Sequence, residues 1–321
     1  MNKLSIGVLG CANIAKRSVI PAIKSITEFE LVVVASRTQA KAGEFASAFD
    51  CEAIEGYQNL LDRKDIDVIY MPLPTGLHEE WVIKALEAGK HILIEKSLAM
   101  SYDSAKRMVD LARQKGLLIM ENFMFLYHGQ HQFVKDLITK GEIGEVRCFR
   151  SSFGFPPLDS ENFRYNKALG GGALLDAAAY TVRASQLFLG NDIWVEGATL
   201  NNINTEVDLF GGAYLKSSNG MFAEVAFGFD NFYQCNYEIW GSKGKIMAQR
   251  AFTPGAKFKP TITLEQQSEV FNYEIDAENH FVNILNEFKR CVLENDVETK
   301  YEEILNQSRL LQELKIKSKD E

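Results

Sequence analysis

Apolar and polar positions alternate in two different ways along this chain. Up to about Met120, short and almost wholly apolar runs recur: Lys3–Gly10 (KLSIGVLG), Leu31–Ala35, Val68–Met71, His91–Ile94 and Leu117–Met120. Amphipathic stretches lie between them at Gln39–Phe49, Glu79–Ala88 and Tyr102–Gln114, and one more follows Cys11–Ala15 to about Ile26. Short strands buried on both faces, separated by helices, predict a parallel, doubly wound sheet. Beyond Met120 the pattern changes. Glu145–Phe155 reads as extended, a loop runs to Gly172, and a helix is expected from Ala173 to Leu189. Period-two runs follow, with Met221, Ala223, Val225, Phe227 and Phe229 on one face. Further strands are expected at Val195–Asn202, Val207–Lys216, Tyr237–Trp240 and Lys245–Gln249, then helices at Glu278–Glu294 and Tyr301–Lys315. Consecutive strands predict a large, mostly antiparallel open sheet. The expected class is α/β, with a nucleotide-binding domain over 1–121 and an α+β domain over 122–321.

The first turn carries candidate chemistry. A strand, a glycine turn, a helix and a second strand form the unit that binds a dinucleotide in Rossmann folds. The turn lets backbone approach the pyrophosphate, and the helix N-terminus presents unpaired N–H groups. Gly10, Cys11, Ala12, Asn13 and Ile14 are the expected cradle. The spacing Gly10-x-Ala12-x-x-Ala15 departs from three glycines, and the Ala12 methyl falls where the pyrophosphate presses closest. The second strand ends in Ser36-Arg37. An acid there would bind a ribose 2′-OH, whereas an Arg accommodates a 2′-phosphate, so the pair points to NADP(H). The alternative is an ordinary strand–turn–helix beside an incidental surface Arg. Ligands of such sheets sit at the carboxyl ends of the strands. Pro72, Thr75, Glu95 and Lys96 are therefore expected to face the crevice.

Composition narrows the classes. The net charge of −8 gives no basic footprint for nucleic acid or an anionic membrane. No apolar run reaches the ~18 residues of a membrane span, and Met1-Asn2-Lys3 leads straight into a strand, so no signal peptide is expected. Five scattered cysteines without a CxxC pair suit reduced thiols and a cytoplasmic location.

Two further places carry reactive groups. Lys96 follows a buried strand and can polarise a substrate oxygen, or simply snorkel from a strand end. In Gly170–Tyr180 (GGGALLDAAAY), three glycines allow close approach of a ligand or another chain, and Asp176 and Tyr180 fall one helical turn apart. A Tyr near a Lys cation can serve as general acid to a carbonyl oxygen. The plainer reading makes Tyr180 a core aromatic and Asp176 a first-turn charge on the helix dipole.

Taken together, GVLGCANIA, PLPTGLHEEW, EKS and GGGALLDAAAY resemble, in order and spacing, the Gfo/Idh/MocA oxidoreductases over essentially the whole chain. The resemblance implies hydride transfer between a nicotinamide cofactor and a sugar, cyclitol or related alcohol. It also implies that the open C-terminal sheet makes an oligomer interface; since the expected helices cover only one side of a sheet such as Met221–Phe229, a homodimer or homotetramer is expected. Glu95-Lys96-Ser97 stands where the family has Glu-Lys-Pro, which gives Lys96 the catalytic lysine role. Asp176-x-x-x-Tyr180 stands where it has Asp-x-x-x-His. A Tyr there is similar to the dihydrodiol dehydrogenase and nucleotide-sugar ketoreductase branches, with Asp176 binding a substrate hydroxyl or orienting the pair. Glu121–His131 (ENFMFLYHGQH) and Asn162–Tyr165 (NFRY) are similar to the nucleotide-sugar 3-ketoreductases. On that likeness Asn122 and His128 line a sugar pocket, Arg164 meets a sugar or diphosphate oxygen, and His78 gives cofactor-side support. His128-x-x-His131 lacks a completing Cys or carboxylate pair, so no metal is expected. The resulting expectation is reduction of a keto group on a nucleotide-activated sugar with NADPH. Two alternatives are an NADP-dependent dehydrogenase of a free sugar or dihydrodiol, and a non-catalytic nicotinamide-binding regulator.

Overall fold

The computed structural model describes residues 3–319. Two compact units are present: Met1–Phe123 with Phe281–Ser308, and Met124–His280 with Arg309–Glu321.

The first unit is built on six parallel strands: β1 (Leu4–Leu9), β2 (Phe29–Ser36), β3 (Glu52–Glu55), β4 (Val68–Met71), β5 (His91–Ile94) and β6 (Ile119–Glu121). Their order is β3-β2-β1-β4-β5-β6, the doubly wound order in which the chain reverses direction between β1 and β4. Five helices connect them: α1 (Ile20–Ser25), α2 (Gln39–Phe49), α3 (Tyr57–Leu61), α4 (His78–Glu87) and α5 (Tyr102–Lys115). Ser101 caps α5 by accepting from Ser104 N, and Gly116 ends it in the left-handed region. A π turn, Ala15–Val19, precedes α1. Pro21 follows at its start and has no N–H to give the ladder, a common reason for a widened turn.

The second unit is built on eight strands. They are β7 (Val146–Phe155), β8 (Ile193–Asn201), β9 (Phe210–Ser217), β10 (Phe222–Phe229), β11 (Gln234–Gly241), β12 (Lys245–Gln249), β13 (Thr261–Gln266) and β14 (Glu269–Glu274). The order is β14-β13-β12-β11-β7-β10-β9-β8, antiparallel except where β10 runs parallel to β7. Phe149, Phe153, Ala223, Val225 and Tyr237 point inward and are buried. Helices α6 (Gly129–Thr139) and α7 (Ala179–Leu189) lie in this unit. A π turn, Leu174–Ala178, leads into α7.

The fold class is the one the patterning predicts. The patterning predicts one domain over 122–321, whereas the structure groups 281–308 with the first unit. Most of α8 (His280–Glu294) and the first half of α9 (Glu298–Lys317) group with the parallel sheet. Tyr301 and Ile304 belong to its core, and Tyr301 OH donates to Leu117 O at 2.5 Å. Arg113 pairs with Glu298, and Lys289 with Glu28. The helix expected from Glu278 starts at His280, and the Glu278 carboxylate accepts from Gly129 N at the start of α6 (3.1 Å).

Candidate functional site

The cofactor turn sits at the carboxyl end of β1. Leu9 pairs with Ala35, and Gly10 N donates to Ala35 O at 3.0 Å, which ties the turn to the end of β2. Gly10 has φ +125°, and a Cβ there would stand 3.0 Å from Leu73 Cδ2. Helical structure runs from Asn13 to Ser25, and the first backbone bond back into the turn is Lys16 N to Ala12 O. Ala12 thus supplies the first helical carbonyl, and its side chain is partly exposed. The Cys11 thiol donates to Lys41 O (3.7 Å); burial pushes its pKa up, while a hydrogen bond with Ser36 pulls it down. Ser36 is buried and Arg37, the next residue, is exposed. The glycine turn and the Ser36-Arg37 pair are therefore adjacent, an arrangement whose donors suit a pyrophosphate and a 2′-phosphate.

Farther along the same sheet edge, Pro72 is buried and Thr75 opens a short 3₁₀ turn after β4. His78 is wholly buried. Its ring bridges two loops, Nδ1 to Leu98 O at 3.0 Å and Nε2 to Leu73 O at 2.8 Å, and burial lowers its pKa. It braces the loop holding Lys96. Leu98 N donates to Glu121 Oε1 at 2.7 Å, a second brace. Glu95 Oε1 accepts from Tyr70 OH at 2.7 Å and from Asn122 Nδ2 at 2.6 Å. Lys96 is half-buried, and its peptide bond to Ser97 is cis.

In the second unit Arg164 and Asp176 come together, Arg164 Nε donating to Asp176 Oδ2 at 2.5 Å. The Arg164 guanidinium also lies 4.8 Å from the Phe163 ring. The glycines serve this arrangement, where the sequence suggested approach of a ligand or another chain. A Cβ at Gly171 would overlap Arg164 O, and one at Gly172, where φ is +112°, would overlap the Asp208 carboxylate. Asp208 caps the helix: its backbone oxygen accepts from Ala173 N (2.8 Å) and its Oδ2 from Leu174 N (2.5 Å). Tyr180 is 7% exposed and ringed by Phe153 at 4.8 Å, Phe125 at 5.8 Å and Phe252 at 5.8 Å.

The two histidines of the His-x-x-His stretch play separate parts. His128 is the N-cap of α6, its Nδ1 accepting from Gln130 N at 3.2 Å. It lines a cavity of ≈ 220 Å³ with Tyr127, Gln132, Lys135, Leu187 and Glu278. His131 meets Tyr237 OH and Ala251 O, each at 3.0 Å, and burial holds its pKa down at about 3. Among the described residues no three His, Cys, Asp or Glu side chains gather as metal ligands. None of them forms a helix long and apolar enough to cross a membrane. Tyr70, Glu121 and Asp208 were not anticipated. Glu121 carried a signal, being an acid closing an apolar strand; Tyr70 sits inside an apolar run and Asp208 inside the strand expected at Val207–Lys216, which starts only at Phe210, and neither carried one.

Fold and site together define a Rossmann dinucleotide oxidoreductase with an appended α+β domain. The model of the oxidoreductase family with an NAD-binding Rossmann fold matches residues 4–123, and that of the GFO/IDH/MocA C-terminal domain matches 131–247. The chain belongs to the Gfo/Idh/MocA oxidoreductase family. A dTDP-3,4-didehydro-2,6-dideoxy-alpha-D-glucose 3-reductase of Saccharopolyspora spinosa is 47% identical, over 89% of this chain and 87% of that one. A D-xylose 1-dehydrogenase (NADP(+)) of Haloferax volcanii is 31% identical, over 89% and 88%. The crystal structure of KijD10, a 3-ketoreductase from Actinomadura kijaniata in complex with NADP and TDP-benzene, superposes with a TM-score of 0.96. It is 40% identical, and 98% of each chain is covered. Variants of KijD10 with Tyr replaced by Phe, or Lys by Ala, have also been crystallised with these ligands.

Proposed function

We propose that this chain is an NADP(H)-dependent reductase of the 3-keto group of a dTDP-linked deoxysugar. The likeness to KijD10 over 98% of both chains carries this reading. Gly10–Ile14 hold the pyrophosphate, and Ser36 with Arg37 hold the 2′-phosphate. Pro72, Thr75 and Glu95 flank the rest of the cofactor. When bound, the reduced cofactor supplies a hydride to the ketone carbon. Tyr180 donates its phenolic proton to the ketone oxygen, and the Lys96 cation stabilises charge on that oxygen. The lysine and tyrosine replaced in KijD10 are separated by the same number of residues as Lys96 and Tyr180, which supports these roles. Arg164, oriented by Asp176, takes the sugar or diphosphate oxygens, and His128 supports the sugar pocket.

A turnover screen tests the proposal. Reduction of a dTDP-linked 3-keto sugar is expected with NADPH, and only weakly with NADH. Efficient oxidation of free xylose or glucose with NADP⁺ would instead favour the dehydrogenase reading, which the xylose-dehydrogenase relative motivates.

The assembly is a dimer or tetramer through the outer face of the eight-stranded sheet. Trp194, Tyr214 and Trp240 are 37%, 36% and 49% exposed there. Light scattering is expected to give a multimer for the wild type and a smaller species for Trp240→Arg. A monomeric wild type would reject this assembly.

A further inference from the structure

Asn122 follows β6 directly and is 1% exposed. Its Nδ2 donates to Glu95 Oε1, which already accepts from Tyr70 OH. Burial, and then the negative charge of Glu95, push the Tyr70 pKa well above its ordinary value, so this phenol stays a donor. Turning the Asn122 amide round would set two oxygens against each other. Tyr70 and Glu95 therefore fix which way the amide faces, and its Oδ1 can only accept. That oxygen is enclosed and has no hydrogen-bond partner.

Buried carbonyl oxygens are nearly always paired, so an enclosed one without a donor in the chain calls for a water or a ligand group. Its place indicates which group. A doubly wound sheet of this order has two mononucleotide halves, and a dinucleotide lies across the carboxyl ends of the strands. The 2′-phosphate pair Ser36-Arg37 closes β2, in the half formed by β3-β2-β1. Asn122 and Glu95 close β6 and β5, in the other half. The nucleoside over β4-β5-β6 is then the nicotinamide one. It offers two kinds of donor, the carboxamide N–H and the ribose O–H.

We propose that Asn122 Oδ1 accepts a hydrogen bond from a donor of the nicotinamide nucleoside, with Tyr70 and Glu95 as the positioning residues that aim it. This moves Asn122 from the sugar pocket to the cofactor, and it rests on the NADP(H) reading above.

Calorimetric titration separates the outcomes. Asn122→Ala is expected to weaken NADPH binding about tenfold. Adenosine 2′,5′-bisphosphate, which lacks the nicotinamide half, should still bind within about twofold of wild type, since it makes no use of the lost hydrogen bond. NADPH affinity unchanged in the variant would overturn the proposal. So would equal weakening of both ligands, which would mark Asn122 as a structural residue only. If Asn122→Ala does not fold, Asn122→Ser is read by the same outcomes.

The 3-acetylpyridine analogue of NADP⁺ carries a methyl ketone in place of the carboxamide and identifies the donor. If wild type prefers NADP⁺ and the variant loses that preference, the donor is the carboxamide N–H. If the preference survives while NADPH affinity falls, it is a ribose hydroxyl. A wild type that binds no NADPH would defeat the cofactor reading itself. A wild type that binds it, with an unchanged variant, would defeat only the role of Asn122.

Discussion

Lys96 stands on a loop held by directional polar bonds, whereas Tyr180 stands on a helix held by rings. Around Lys96, Glu121 takes Leu98 N, His78 takes Leu98 O, and Tyr70 with Asn122 clamps Glu95. Around Tyr180, Phe153, Phe125 and Phe252 pack edge or tilt against the phenol, and Asp208 secures the start of the helix. A polar clamp fixes one geometry, and each bond in it can be removed separately at the cost of a stranded donor or acceptor. A cage of rings has little directionality, but truncating one ring leaves a hole that its neighbours fill only in part. A flexible lysine needs the first kind of support, because the loop places its stem. A stiff phenol gains its orientation from the second.

The largest effects fall on the two reacting groups. Lys96→Ala and Tyr180→Phe are each expected to lower turnover about 10²- to 10⁴-fold, the usual contribution of a positioned acid or base. NADPH should still bind both. Wild-type turnover in both variants would refute Lys96 and Tyr180 as the reacting groups.

The supports come next, and they separate the two regions. Phe153→Ala is expected to cost about 3–5 kcal/mol of folding stability, as buried Phe truncations do. Glu121→Ala strands Leu98 N and is expected to cost about 1–3 kcal/mol. Glu121→Gln keeps an acceptor and should recover most of that loss, whereas Phe153→Leu recovers only part of its own. Urea denaturation reads all four variants. If Glu121→Gln were as damaging as Glu121→Ala, the clamp would depend on charge and not on the bond to Leu98.

The two regions were also unequally legible in the sequence. Lys96, Ser36 and Arg37 end apolar runs that parallel-sheet logic places at one edge, so period and position sufficed for them. The bonds of Glu95 to Tyr70 and Asn122 join three strands, and strand order is a tertiary fact that local pattern does not carry. The cage around Tyr180 draws on Phe125, Phe153 and Phe252, which are remote in sequence, and any of them reads equally well as generic core. The triple glycine was visible, but its use was not, because the partners that need the space are Arg164 O and the Asp208 carboxylate. Strands β3, β13 and β14 went unread since they are short or polar. β14 is mostly exposed, and its register is set by pairing with β13.

Acid bears on both regions at once, because each encloses an imidazole whose pKa burial lowers: His78 near Lys96, and His131 beside Phe125 (5.5 Å). For His131 burial is the main cause, followed by the nearby His128, and the folded value is about 3 against 6.5 for an ordinary histidine. The folded value is depressed, so between these limits the unfolded chain binds a proton that the folded chain refuses. Stability is then full above about pH 6.5 and declines as pH falls toward 3. From pH 7 to pH 5 the loss from this one group is about 2 kcal/mol. His131→Gln keeps a polar side chain but cannot titrate. Its stability should fall between pH 7 and pH 5 by about 2 kcal/mol less than that of the wild type. His280, whose pKa burial lowers to about 4, still contributes in both proteins. Paired urea titrations at the two pH values measure the difference. Equal losses in variant and wild type would show that His131 is not an acid-labile element of the ring-supported region, and would shift attention to His78 and the polar clamp.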